Sequence, residues 1–217
     1  MKILLLFNKG SQSIYKIFEN EIKKEGHSVK LVDPNGGIYK KSKSIRYLGK
    51  LNNNIRNISN NKNLKIQNDR ILKEIKDYEP HIIISYNDSG LLPETVREIS
   101  KISKLVFFLG DNPFYSFYKK NFLDILIQSD MIFTPDSGAK IQLEMVGVKN
   151  VSYANIGMTN DIFYKIEKNN IDKIQYSNDI IFIGGQYNLD SWALKRALLL
   201  NEFVDFDFRM WGRKMWL

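Results

Sequence analysis

Residues Lys104–Phe117 read K-L-V-F-F-L-G-D-N-P-F-Y-S-F, and this stretch decides the fold. Leu105–Leu109 is an unbroken apolar run, the pattern of a strand covered on both faces, as in a parallel sheet. Gly110-Asp111-Asn112-Pro113 then breaks the strand at its carboxyl end. In an open α/β sheet that end is where ligands sit. Asp111 and Asn112 are polar, Gly110 permits close approach to the backbone, and Pro113 stops the strand. The same residues also form an ordinary strand-to-helix turn, with Asp111 or Asn112 capping a helix from Phe114. The two readings are compatible.

Working outward, the same grammar repeats. Lys2–Phe7 is a buried strand, and Ile14, Ile17, Phe18 and Ile22 follow at helical spacing until Glu25-Gly26 caps the helix. Ser28–Val32 alternates as a second strand before the turn cluster Asp33-Pro34-Asn35-Gly36-Gly37. A helix is expected over Leu64–Tyr78, stopped by Glu79-Pro80, and then a third strand, His81–Ser85. Leu92–Ser103 is expected as a helix with Pro93 in its first turn. After the Leu105–Leu109 strand come a helix through Phe122–Ile127, a strand Met131–Thr134, a helix Ser137–Val146 and a strand Val151–Ala154. Strands alternating with helices over residues 1–154 predict a doubly wound, Rossmann-like parallel sheet. The polar turns after Phe7, Ser85 and Leu109 should then share one rim. Residues 155–178 read as a connector. Asp179–Gly184, Ser191–Asn201 and Phe206–Trp211 open a fresh β-α-β unit over 179–217, the start of a second Rossmann-like domain. One such unit cannot cover both faces of its own strands, so either it adds to the first sheet or, as expected here, the natural chain continues.

Composition narrows the function. The chain has no cysteine, hence no disulfide, thiol nucleophile or thiolate metal site. No apolar run approaches the length of a membrane span, and no signal peptide is visible, so a cytoplasmic protein is expected. The net charge of +8 is local: residues 1–80 hold 17 Lys/Arg against 8 Asp/Glu. Between Lys40 and Lys65 there are eight basic residues and no acidic one, interleaved with asparagines. This is a solvated segment or a patch for an anionic membrane surface or a phosphate-bearing ligand. It lacks the aromatic interleaving of a nucleic-acid module, so nucleic acid is not expected as a partner. Phe7-Asn8-Lys9-Gly10-Ser11 has one glycine where a dinucleotide fingerprint needs three, and no P-loop occurs. His27 and His81, the two histidines, lie at amino ends of strands and read as structural.

The chain resembles nucleotide-sugar glycosyltransferases of the GT-B fold, and most of all their CgeB-like (spore maturation) group. Four stretches carry the resemblance: Gly26-His27-Ser28-Val29; Asp111-Asn112-Pro113; Asn155-Ile156-Gly157-Met158 through Asp161-Ile162-Phe163; and Asp179–Gly185 with Arg196 and Trp211–Trp216. It implies an N-terminal acceptor-side domain, a C-terminal donor-binding domain and sugar transfer from a nucleotide-sugar donor to an acceptor hydroxyl. It implies no cofactor and no obligatory metal, the nucleotide-sugar being a co-substrate. On that basis Asp111 is the candidate catalytic residue, as general base or acceptor hydrogen-bond partner. Asn8, Gly10, Ser11, Asn87, Asp88, Ser89 and Asn112 are candidate substrate-binding residues on the strand ends. Gly184, Gly185 and Arg213 are candidate donor-binding residues, and no metal ligand is expected. The rival readings are a non-catalytic sugar-binding or scaffold domain, and a basic module attached peripherally to a membrane through 40–65.

Overall fold

A computed structural model describes residues 1–8, 12–36, 53–87, 90–114, 121–155, 157, 178–184 and 191–212. The chain divides into two compact units, Met1–Thr159 and Asn160–Leu217.

The first unit is built on one six-stranded sheet. In chain order its elements are β1 (Lys2–Leu6), α1 (Gln12–Lys24), β2 (Ser28–Val32), α2 (Asn53–Tyr78), β3 (Ile82–Tyr86), α3 (Pro93–Ile99), β4 (Lys104–Phe108), α4 (Phe122–Ile127), β5 (Met131–Thr134), α5 (Ser137–Met145) and β6 (Val151–Tyr153). The spatial order is β2-β1-β3-β4-β5-β6, and every neighbouring pair is parallel. The chain therefore steps one way from β1 to β2 and then the other way from β3 to β6. That reversal makes a topological switch point between β1 and β3, the crevice where such sheets take ligands.

Alternation along each strand sorts the core into two layers. Leu4, Leu6, Ile83, Leu105, Phe107 and Ile132 pack with helices α2 to α5. Ile3, Leu5 and Phe7 pack on the other face, against Ile14, Phe18 and Ile22 of α1. Each such buried side chain contributes about 1.5–3 kcal/mol relative to exposure. The expected run Leu105–Leu109 is seated as read: Leu109 is buried, and its N–H extends the ladder to the Phe133 carbonyl (2.8 Å). Gly26 closes α1 in the left-handed conformation (φ 77°). α2 begins at Asn53, well before the expected start at Leu64.

α2 is tied to the loop after β3 by a buried asparagine. Asn68 Nδ2 donates to the Gly90 carbonyl (3.0 Å), and Asn68 Oδ1 accepts from the Leu92 N–H (2.9 Å). That bond satisfies a backbone donor just ahead of α3, where Pro93 offers no N–H of its own. At the amino ends of the strands the Lys2 N–H donates to His81 Nδ1 (2.9 Å), and the Met1 amino group lies 3.5 Å from His27 Nδ1. Both histidines therefore brace the pole opposite the strand carboxyl ends.

The second unit contains β7 (Ile180–Ile183), α6 (Ser191–Asn201) and β8 (Phe208–Trp211), with β7 and β8 parallel. No helix among the described residues is long and apolar enough to cross a membrane.

Candidate functional site at the sheet rim

Parallel pairing sets the carboxyl ends of β1, β3 and β4 side by side, with Leu6 opposite Ser85 and Tyr86 opposite Phe108. The turns that follow them thus lie on one rim, flanking the switch point. Asn8 extends from β1, and its Oδ1 accepts from Asn35 Nδ2 in the turn after β2. Arg70 of α2 holds that turn by donating to the carbonyls of Asp33 and Pro34.

The densest part of the rim joins the β3 and β4 turns. Asn87 adopts a left-handed backbone conformation (φ 51°), which asparagine tolerates better than most side chains. Its N–H donates to the Phe108 carbonyl (3.0 Å). Its side chain is used at both ends: Oδ1 accepts from the Gly110 N–H (2.6 Å), and Nδ2 donates to Asp111 Oδ2 (3.1 Å). Asn87 is therefore a brace for Asp111. Asp111 itself is exposed, and none of the ion pairs among the described residues includes it.

Gly110 has a reason different from the one expected. A Cβ at this position would fall 2.1 Å from the Tyr86 hydroxyl. The space above the glycine is taken by the chain's own tyrosine, so the residue serves internal packing in place of substrate approach. Tyr86 is fixed there by stacking on Phe7 (centroids 5.5 Å apart) and on Phe108 (6.3 Å). Burial, and then the negative charge of Asp111, push the Tyr86 phenol above its ordinary range. The hydroxyl stays protonated at neutral pH.

Asn112 is placed differently from Asp111. Its Oδ1 accepts from the Phe114 N–H (2.9 Å), which fulfils the turn-forming reading. Its Nδ2 donates to Asp136 Oδ2 (3.0 Å) and Gln142 Oε1 (3.2 Å). Asp136 is the N-cap of α5, its Oδ1 accepting from the Ala139 N–H (3.0 Å). The bonds from Ala139, Asn112 and Gly138 outweigh burial and hold the Asp136 carboxyl below the usual carboxylate range.

Sequence reasoning placed Asn8, Asn87, Asp111 and Asn112 on this rim, and the structure bonds Asn87 to Asp111 and, separately, Asn112 to Asp136 and Gln142. It missed Asp136, Gln142 and Tyr86's place over Gly110. Asp136 was findable: Asp136-Ser137 comes one residue after the Met131–Thr134 strand, past Pro135, and opens a helical pattern. Gly10, Ser11, Asp88, Ser89, Gly185 and Arg213 lie outside the described residues, as do Lys40–Lys50 and most of the connector. Gly184 belongs to the second unit, where its N–H donates to the Trp211 carbonyl (2.9 Å). Among the described residues no three His, Asp or Glu side chains gather to hold a metal ion.

No known protein-family profile and no characterised protein matches the chain by sequence. Solved structures do match its fold. A protein described as a UDP-N-acetylglucosamine 2-epimerase, from Listeria monocytogenes, superposes with a TM-score of 0.60 at 12% identity, over 97% of this chain and 61% of that one. Sucrose-phosphate synthase from Thermosynechococcus elongatus gives 0.55 at 10% identity, over 98% and 70%. UDP-GlcNAc 2-epimerase from Neisseria meningitidis, solved with UDP-GlcNAc bound, gives 0.53 at 15% identity, over 97% and 65%. The chain thus spans six- to seven-tenths of the length of these proteins. The feature the chain shares with them is a Rossmann-like α/β fold.

Proposed function

We propose that this chain belongs to a nucleotide-sugar-dependent glycosyltransferase of the CgeB-like type. The reading assigns residues 1–154 to the acceptor side and residues 179–217 to the donor side, where Gly184, Gly185 and Arg213 would meet the diphosphate. The observation that carries it is the braced carboxylate: Asp111 stands exposed at the rim, beside the switch point, held by Asn87 Nδ2 at 3.1 Å. Proteins of the same fold include enzymes named for nucleotide sugars, one with UDP-GlcNAc bound.

In this reading Asp111 accepts the proton of an acceptor hydroxyl as that oxygen attacks the anomeric carbon of the donor. A general base must come within hydrogen-bond reach of the proton it takes, and an exposed, oriented carboxylate meets that demand. The protonated Tyr86 hydroxyl, beside it, donates to the substrate and does not compete for the proton. The reaction runs without an obligatory metal, with helix dipoles and basic side chains carrying the leaving diphosphate.

The test is release of nucleoside diphosphate from a panel of UDP-sugars with saccharide acceptors, with and without EDTA. Asp111→Asn should lower turnover about a hundredfold while leaving donor affinity within about twofold. Full turnover in that variant removes Asp111 from the mechanism. Donor binding without turnover on any acceptor favours a sugar-binding module instead.

A further inference from the structure

A cavity of about 340 Å³ lies between α2 and α3. Small-molecule sites ordinarily begin at roughly 300 Å³. The α2 wall is Lys65, Asp69 and Leu72, spaced i, i+4 and i+7 along one helix face. The α3 wall is Glu94, Thr95 and Arg97, with Leu92 just ahead of the helix. Asn68 also borders the cavity, but both its amide hydrogens go to the Leu64 and Gly90 carbonyls and its oxygen takes the Leu92 N–H. It is wall, with nothing left to donate.

Two independent observations point to an occupant. The first is Thr95, which is only 2% exposed and whose hydroxyl makes no hydrogen bond among the described residues. Among those residues only the Tyr78 hydroxyl is both sealed from solvent and unbonded. The sliver of surface that Thr95 keeps is therefore at its hydroxyl, and the cavity is what that surface lines. A buried hydroxyl without a partner is costly, and a ligand in the cavity would supply one.

The second is the charge. On the other helices, opposite charges three or four residues apart close on each other: Lys23 on Glu19, Lys24 on Glu21 and Lys140 on Glu144, at 2.5–2.9 Å. Lys65 and Asp69, and likewise Glu94 and Arg97, have these same spacings and form no ion pair among the described residues. Glu98, the remaining acid of the wall, is taken by Lys101 (2.6 Å). Each helix thus brings one unneutralised cation and one unneutralised carboxylate to the same cavity. A ligand with a single charge is repelled by one of these pairs, whereas a ligand with both signs finds a partner for each. Leu72 and Leu92 offer apolar surface to whatever joins the two charges.

We infer that the cavity between α2 and α3 binds a zwitterion with an aliphatic body, of the size and chemistry of a free α-amino acid such as leucine. Lys65, Arg97 and the Thr95 hydroxyl meet its carboxylate, Asp69 and Glu94 meet its ammonium, and the two leucines cover its side chain. No residue of this set belongs to the rim around Asp111, and the inference does not rest on the transferase reading.

The test is a titration of the 15N-labelled full chain, followed by NMR at the backbone amides of Asn68, Asp69, Leu72, Thr95 and Arg97. L-Leucine is compared with 3-methylbutylamine, which lacks the carboxylate, and 4-methylpentanoate, which lacks the amine. Leucine should shift these amides at millimolar concentration, with a Kd about tenfold or more below that of either single-charge analogue. No shift from leucine, or an equal Kd for either analogue, overturns the inference. Thr95→Val keeps the shape and removes the hydroxyl, and should weaken leucine about fivefold at an unchanged melting temperature. Full leucine affinity in that variant, or a clear loss of stability from an internal bond, overturns it as well. The exposed pair Asp69→Asn, Glu94→Gln leaves the core untouched and removes the acids. Leucine's advantage over 4-methylpentanoate should then vanish, and an advantage that persists refutes the assignment of the ammonium.

Discussion

The two units use the same β-α-β grammar and bury it to very different depths. In the first unit β4 has helices behind it and strands on both sides, and Phe107 is fully buried (0% exposed). In the second unit β7 has one partner strand among the described residues, and Ile183 is 80% and Leu194 of α6 62% exposed. Both strands carry apolar runs, I-I-F-I in β7 and L-V-F-F after Lys104 in β4. The difference teaches that an apolar run specifies a strand, whereas the number of neighbours decides how much of it leaves water.

The contrast predicts a descending series of sensitivities. Phe107→Ala should cost about 3–5 kcal/mol and lower the melting temperature of the first unit by roughly 10 °C. Circular dichroism reads this unit, since Trp192, Trp211 and Trp216, the three tryptophans, all belong to the second unit and report on it by fluorescence. A loss below about 1 kcal/mol would mean that the core is loosely packed.

Next comes the comparison of two glycines. Gly110→Ala drives a methyl into Tyr86, which is locked between two rings, and should cost about 1–3 kcal/mol. Gly184→Ala meets only the outer edge of the Phe182 ring and should cost about half as much or less. The double variant Gly110→Ala, Tyr86→Ala should recover part of the Gly110 penalty in a thermodynamic cycle. Strict additivity would show that the two residues are not in conflict.

Asp136→Ala should cost about 1 kcal/mol in urea unfolding at pH 7, the ordinary value of a helix N-cap. The Asp136 carboxyl is held below its unfolded value, so its contribution is present above that value and fades as pH falls through the folded one. The gap between the two proteins should therefore narrow from pH 5 towards pH 2; a gap that is constant with pH would refute the charge component. Smallest of all, Ile183→Thr should stay within about 0.5 kcal/mol, because the side chain it trims is already in water. A cost of about 2 kcal/mol or more would mean that something covers β7 and that the contrast between the units is false.

How much of this was legible beforehand follows from which forces are local. The strand Met131–Thr134 and the helices Phe122–Ile127 and Ser191–Asn201 occur where hydrophobic spacing put them, because periodicity is written in neighbouring residues. The rim was legible too, because parallel strands bring their carboxyl ends together whatever the loops contain. The partners within it were not. That Asn87 would hold Asp111 depends on a left-handed backbone at Asn87 and on the register of β3 against β4. In sequence Gly110 reads as an opening for substrate, because nothing there says that a tyrosine 24 positions earlier stands over it. The amino end of α2 is hidden in the sequence because asparagines such as Asn57, Asn60 and Asn61 are poor helix formers, and the helix passes through them all the same.

The histidine brace at the opposite pole has a practical consequence. With Lys2 pinned to His81 and Met1 beside His27, the polypeptide enters the sheet at the edge remote from Asp111. A tether fused ahead of Met1 will therefore anchor the protein to a sensor chip with the strand carboxyl ends turned toward the flowing solution.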